Sequence, residues 1–205
     1  MLSGLTLYAL LDVMGTFVFG LTGAMVAVRR GFDLFGILVL SAAVGVAGGV
    51  VRDVLLGDVP PAVLVDLWPL ALTCAAGLVA FFFAPVIERL DRPVMLLDAV
   101  GLGVFAIAGC NKALVFGLGG FGAVLLGVLT AIGGGVLRDI MTAQVPRVLH
   151  EEVYALAALA GAAAYALGLA AGLPGGLVAT GAVLLAIVIR IASVRNGWTL
   201  PKARG

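Results

Sequence analysis

A chain of 205 residues with 63% hydrophobic and 11% charged side chains and a mean hydropathy of +1.24 is not an ordinary soluble domain, in which about a quarter of the residues are charged. It reads as a polytopic membrane protein, and a formal net charge of +1 excludes nucleic-acid binding through a basic surface. Cys74 and Cys110 stand in apolar sequence without metal-ligand spacing, and the single histidine, His150, has no ligand constellation around it. Neither a disulfide, a metal centre nor a cofactor is therefore expected.

A spanning helix needs about 20 mostly apolar residues. The chain offers seven such stretches: 5–28, 33–56, 62–87, 94–115, 118–142, 150–171 and 174–194. The first lacks a basic flank and a small-residue cleavage pattern, so it is expected as a span and not as a cleaved signal peptide. Breaks fall at 29–31, 58–61, 88–93, 117–120, 145–147 and 172–176. The run 117–120 has two glycines in succession but no Lys-Ser/Thr after it, so it reads as a turn and not a phosphate loop. Glu151 and Glu152 are expected as the solvated start of the sixth helix, and Gly168 with Gly172 as a small-residue motif for helix association within or between subunits. Barrel-type alternation is absent. The expected fold is an all-α integral membrane protein forming one membrane domain over 1–205.

Loop cations set the direction. With the N-terminus outside, the inner side receives Arg29, Arg30, Arg89, Arg92, Arg147, Arg190, Arg195, Lys202 and Arg204, while the outer loops receive no lysine or arginine. The positive-inside rule then places the 195–205 tail in the cytoplasm and the chain in the cell membrane, with membrane lipids as partners and bound lipid as the one small molecule expected. Trp68 and Trp198 fit interfacial belts.

The chain also repeats itself at an offset of 86 residues. GVAGGVVRDVLLGDVP at 45–60 is matched by AIGGGVLRDIMTAQVP at 131–146, and 17 of the 55 positions from Asp12 to Asp66 are identical to their partners. Asp12 pairs with Asp98, Gly15 with Gly101, Phe19 with Phe105 and Gly23 with Gly109. Matches of valine or leucine are cheap in apolar sequence, but a repeated Gly-Gly-x-x-Arg-Asp is not, and it marks an internal duplication. Each copy, 5–90 and 91–172, holds three spans, so the second should enter the membrane in the opposite sense, with 173–194 appended as a seventh helix.

Gly48 and Gly49 lie inside the second span, and Gly133, Gly134 and Gly135 inside the fifth. Each costs a helix interior about 1 kcal/mol relative to alanine, so kinks or a locally unwound turn are expected at both places, with close helix packing as the alternative. Arg52-Asp53 and Arg138-Asp139 follow. A rise of about 1.5 Å per residue puts Arg52 toward the outer face and Arg138 toward the inner one. Snorkelling to an interface is the plain reading of such arginines. The sharper one pairs Arg52 with Asp12 and Arg138 with Asp98, with Lys112 joining the outer group, to give two charged vestibules. No nucleophile-plus-base arrangement stands out, so no enzyme is expected.

With its doubled Gly-Gly-x-x-Arg-Asp, seven spans and Lys112 in the fourth, the chain resembles the bacterial TRIC family over about residues 8–194. These are prokaryotic relatives of the trimeric intracellular cation channels, and the same family has carried a glycine-transporter label. One departure is Ala47-Gly48-Gly49 where the second copy has three glycines. The resemblance implies a homotrimer with a pore in each protomer, conducting monovalent cations, chiefly potassium. It also implies a pore region containing the five glycines, the Arg52-Asp53 and Arg138-Asp139 pairs and Lys112. The runner-up is a secondary transporter of a small zwitterion such as glycine, and the third reading is a lipid-binding or scaffold membrane protein. No Thr-Val-Gly-Tyr-Gly filter is present, so strong preference for potassium over sodium is not expected.

Overall fold

Where lipid surrounds an apolar chain, each backbone N–H and C=O must find its partner inside the protein, and a helix satisfies them within one segment. The computed structural model describes residues 2–89, 93–149 and 153–198, with side chains over 7–87, 94–149 and 153–198, and it is all-helical among them. Arg92, His150, Glu151, Glu152, Lys202, Arg204 and the Arg89 side chain lie outside the described residues. The helices are α1 (Leu2–Arg29), α2 (Leu34–Leu56), α3 (Ala62–Val65), α4 (Trp68–Phe82), α5 (Ala84–Arg89), α6 (Pro93–Val115), α7 (Gly120–Met141), α8 (Tyr154–Ala170) and α9 (Gly175–Asn196), with a 3₁₀ turn at Arg147–Leu149.

Five of these, α1, α2, α6, α7 and α9, are long and apolar enough to cross a membrane. α4 and α8, with 15 and 17 residues, are shorter apolar helices in the places expected for the third and sixth spans. The third expected span is corrected: 62–87 is not one helix but α3, α4 and α5 in succession. Asp66 leaves helical geometry at φ −116, ψ 121, and its carboxylate accepts the Trp68 N–H at 2.9 Å. The chain restarts there with Pro69 in the first turn, where a missing N–H costs nothing. Elsewhere the ends follow ordinary capping chemistry. Asp33 accepts the Gly36 N–H at 2.7 Å to open α2, and Gly57 closes it at φ +70, in the left-handed region that glycine enters freely.

α1 packs against α2, α4 and α6; α6 packs against α1, α7, α8 and α9; and α2 meets α7. The contacts between α1 and α6 and between α2 and α7 are reciprocal at the 86-residue offset. A Cβ on Gly15 would run into the Phe105 ring, and one on Gly101 would lie 2.9 Å from the Phe19 ring. A Cβ on Gly48 would strike the Thr130 carbonyl oxygen, and one on Gly134 would lie 2.6 Å from that of Val44. Thr130 and Val44 are themselves 86 positions apart.

These approaches explain the glycines differently from an unwound turn. α2 and α7 run as continuous helices through Gly48, Gly49, Gly133, Gly134 and Gly135, and at Gly48, Gly133 and Gly134 the backbone of the facing helix lies against the glycine. Gly168 packs within the chain, where its Cβ would lie 2.6 Å from Val178 of α9. Gly168 thus serves an internal helix pair, while Gly172 lies past the end of α8 at φ +76 with nothing within 4 Å of its Cβ position.

Candidate functional site

A guanidinium keeps its charge in any protein environment and carries five donors in a planar fork, so an arginine inside a bundle must find carboxylates there. Both repeat arginines do. From α2, Arg52 donates through Nε to Asp53 Oδ1 at 2.9 Å and through Nη1 to Asp12 Oδ1 of α1 at 2.7 Å. From α7, Arg138 donates through Nε to Asp139 Oδ1 at 3.0 Å and through Nη1 to Asp98 Oδ1 of α6 at 2.5 Å. The second oxygen of each following aspartate holds the loop beyond its helix: Asp53 Oδ2 accepts the Ala62 N–H at 3.2 Å, and Asp139 Oδ2 accepts the Arg147 N–H at 2.9 Å. Arg52 is 4% exposed and Arg138 0%, so both are enclosed by the bundle and held there by carboxylates.

The two clusters differ in what surrounds them. Lys112, near the end of α6, bridges Asp53 at 2.7 Å and Asp58 at 2.6 Å. The first cluster therefore joins Asp12, Asp53 and Asp58 to Arg52 and Lys112. It faces outward: the Asp12 and Asp58 side chains are 43% and 41% exposed. At the matching positions of the other copy stand Val26 for Lys112 and Gln144 for Asp58, so that cluster has no such bridge. Asp98, Arg138 and Asp139 are all buried. Thr22 Oγ1 accepts a long bond of 3.4 Å from Arg138 Nη1, and Arg147 lies close enough to act on Asp98 electrostatically.

A cavity of about 80 Å³ opens beside the first cluster, with Asp12, Thr16, Gly49, Arg52, Asp53 and Phe105 among its walls. It is large enough to admit water. Beyond it Phe105 stacks on Phe19, with ring centroids 5.3 Å apart. That stack separates the clusters. Along α1 the order is Asp12, Phe19, Thr22, and along α6 it is Asp98, Phe105, Lys112.

Several of these groups escape a reading by sequence. Thr22 and Tyr154, which borders the second cluster, fall where the copies differ, opposite Ala108 and Trp68. Asp58 sits in a loop, where a lone carboxylate reads as solvated. Phe19 and Phe105 were visible as repeat partners without a role. Arg190 is corrected from a loop cation to a buried residue, 2% exposed, whose guanidinium lies over the Tyr154 ring at 4.8 Å. Trp68 and Trp198 are both exposed.

Residues 9–85 and 95–170 match the protein family described as Glycine transporter. The chain is 40% identical over 196 residues to a UPF0126 membrane protein of Deinococcus radiodurans, covering 95% of this chain and 91% of that one. It is 33% identical over 193 residues to the UPF0126 inner membrane protein YadS of Escherichia coli, covering 93% of each. Among solved structures it is similar to the TRIC trimeric intracellular cation channel orthologue from Rhodobacter sphaeroides. The TM-score there is 0.90, with 37% identity over 94% of this chain and 100% of that one. Similarity to another TRIC cation channel reaches a TM-score of 0.85, with 32% identity and coverage of 96% and 97%.

Proposed function

This chain belongs to the bacterial TRIC family, and on that premise we propose that it is a channel for monovalent cations, potassium above all. The pathway enters at the Asp12–Arg52–Asp53–Lys112 cluster, passes the Phe19–Phe105 stack and leaves at the Asp98–Arg138–Asp139 cluster. The observation that carries this reading is the joint one. A chain this similar to solved cation channels opens a cavity, bordered by Asp12, Arg52 and Asp53, at a cluster where three carboxylates face two cations. An excess of carboxylate favours a cation and opposes an anion. The fixed cations no longer bar the path, since each is held within hydrogen-bond distance of a carboxylate.

The reciprocal glycine contacts support 5–90 and 91–172 as repeats inverted in the membrane, with α4–α5 and α8 completing seven crossings and α9 appended. In this orientation the N-terminus and first cluster face outward from the cell membrane, and the tail is cytoplasmic. A homotrimer with one pore per protomer follows the Rhodobacter relative, which is described as trimeric. The glycines Gly48, Gly133 and Gly134 bring α2 and α7 together around the pathway, while Gly49 leaves space beside Arg52.

The family's description favours a second reading, carriage of glycine. Its carboxylate would have to meet Arg52 chiefly at Nη2, since Nε and Nη1 are already held by Asp53 and Asp12. Potassium flux separates the two. Proteoliposomes loaded with potassium chloride should lose potassium down its gradient in proportion to reconstituted protein. Silence in that assay, together with saturable counterflow of labelled glycine, would move the assignment to the transporter.

A further inference from the structure

In the second copy a side chain stands where the first copy has open space. Gly49 and Gly135, 86 residues apart, each face the arginine that follows: an added Cβ would lie 3.8 Å from Arg52 Nη2 and 3.7 Å from Arg138 Nη2. The space beside Gly49 is the cavity described above. The space beside Gly135 holds the Tyr154 hydroxyl, 2.8 Å from where that Cβ would be. Tyr154 is the first residue of α8 and is 1% exposed. Its counterpart Trp68, the first residue of α4, is 59% exposed and leaves the first cluster uncovered.

Two further observations concern how the tyrosine is held. Its ring lies under the Arg190 guanidinium, and Arg190 comes from α9, which neither copy of the repeat contains. Its hydroxyl lies among the buried Asp98 and Arg138 side chains, close enough to act on both electrostatically.

We propose that Tyr154 is a built-in plug that closes the second charge cluster, with Arg190 of α9 holding its ring in place. Withdrawal of the tyrosine opens beside Gly135 the space that already exists beside Gly49. That the opened space admits cations rests on the channel reading; the plug itself does not.

Cysteine accessibility tests it without a current. In a chain carrying Cys74→Ala and Cys110→Ala, Thr22→Cys places a thiol beside Arg138 at a position that is 0% exposed. A membrane-impermeant cationic thiol reagent, added to each side of proteoliposomes in turn, should label it slowly while Tyr154 is present. Tyr154→Ala should raise the labelling rate from one side by about tenfold or more, the change expected when a closed population becomes largely open. Unchanged labelling would overturn the plug, whatever the currents do. Faster labelling in a protein without potassium flux would leave the plug standing and sink the channel reading. Should Tyr154→Ala fail to fold, Arg190→Gln decides: faster labelling supports the plug, and an unchanged rate overturns it.

Discussion

Arg138→Ala should lower the unfolding free energy of the detergent-solubilised protein by about 3–5 kcal/mol, because it strands buried carboxylates without their cation. Asp98 and Asp139 are each 1% exposed, and both rely on this guanidinium for a short hydrogen bond. Arg52→Ala removes the same chemistry from the first copy, yet it should cost less. There Asp12 is 43% exposed on its side chain and can take water instead, and Lys112 still neutralises Asp53. Pairing Arg138→Met with Asp98→Asn should recover part of the loss, since groups in one network do not lose stability additively. Denaturant titration of the three variants checks the order. Equal losses for Arg52→Ala and Arg138→Ala would show that the two clusters are equally buried in solution and would contradict the asymmetry described here.

Lys112→Ala should have the largest effect on transport. The lysine ammonium sits between Asp53 and Asp58, where a permeating cation would otherwise be drawn. Without it the first cluster sets three carboxylates against Arg52 alone. A mouth with more negative charge concentrates cations, and unitary potassium conductance at low salt should rise by about two- to fivefold. The gain should shrink toward 1 M salt, where the screening length falls to about 3 Å. Single-channel recording at two ionic strengths separates the outcomes. A conductance that falls at both would mean that the lysine orders the mouth more than it blocks it.

Legibility from the sequence divides along physical lines. The apolar stretches, their ends and the 86-residue repeat could be read because hydropathy and capping act locally. Pairing Arg52 with Asp12 and Arg138 with Asp98 followed from depth alone, since a charge in an apolar bundle must meet its partner at the same height. Two kinds of feature were beyond reach. The break between α3 and α4 turns on a single carboxylate, that of Asp66, choosing the Trp68 N–H over solvent, and hydropathy cannot register that choice. The different surroundings of the two clusters depend on Tyr154, Thr22, Asp58 and Arg190, which fall outside the repeated positions. The glycines show a related limit. Consecutive glycines permit either a broken helix or a close approach, and only the Thr130 and Val44 carbonyls on the facing helices decide for approach.

The central claim is that a cation pathway joins the two clusters, and a reversal potential tests it most directly. Purified protein in a planar bilayer under a tenfold potassium chloride gradient should give unitary currents that reverse close to the potassium equilibrium potential. Currents reversing near the chloride potential, or a bilayer that stays silent while labelled glycine is carried, would contradict it.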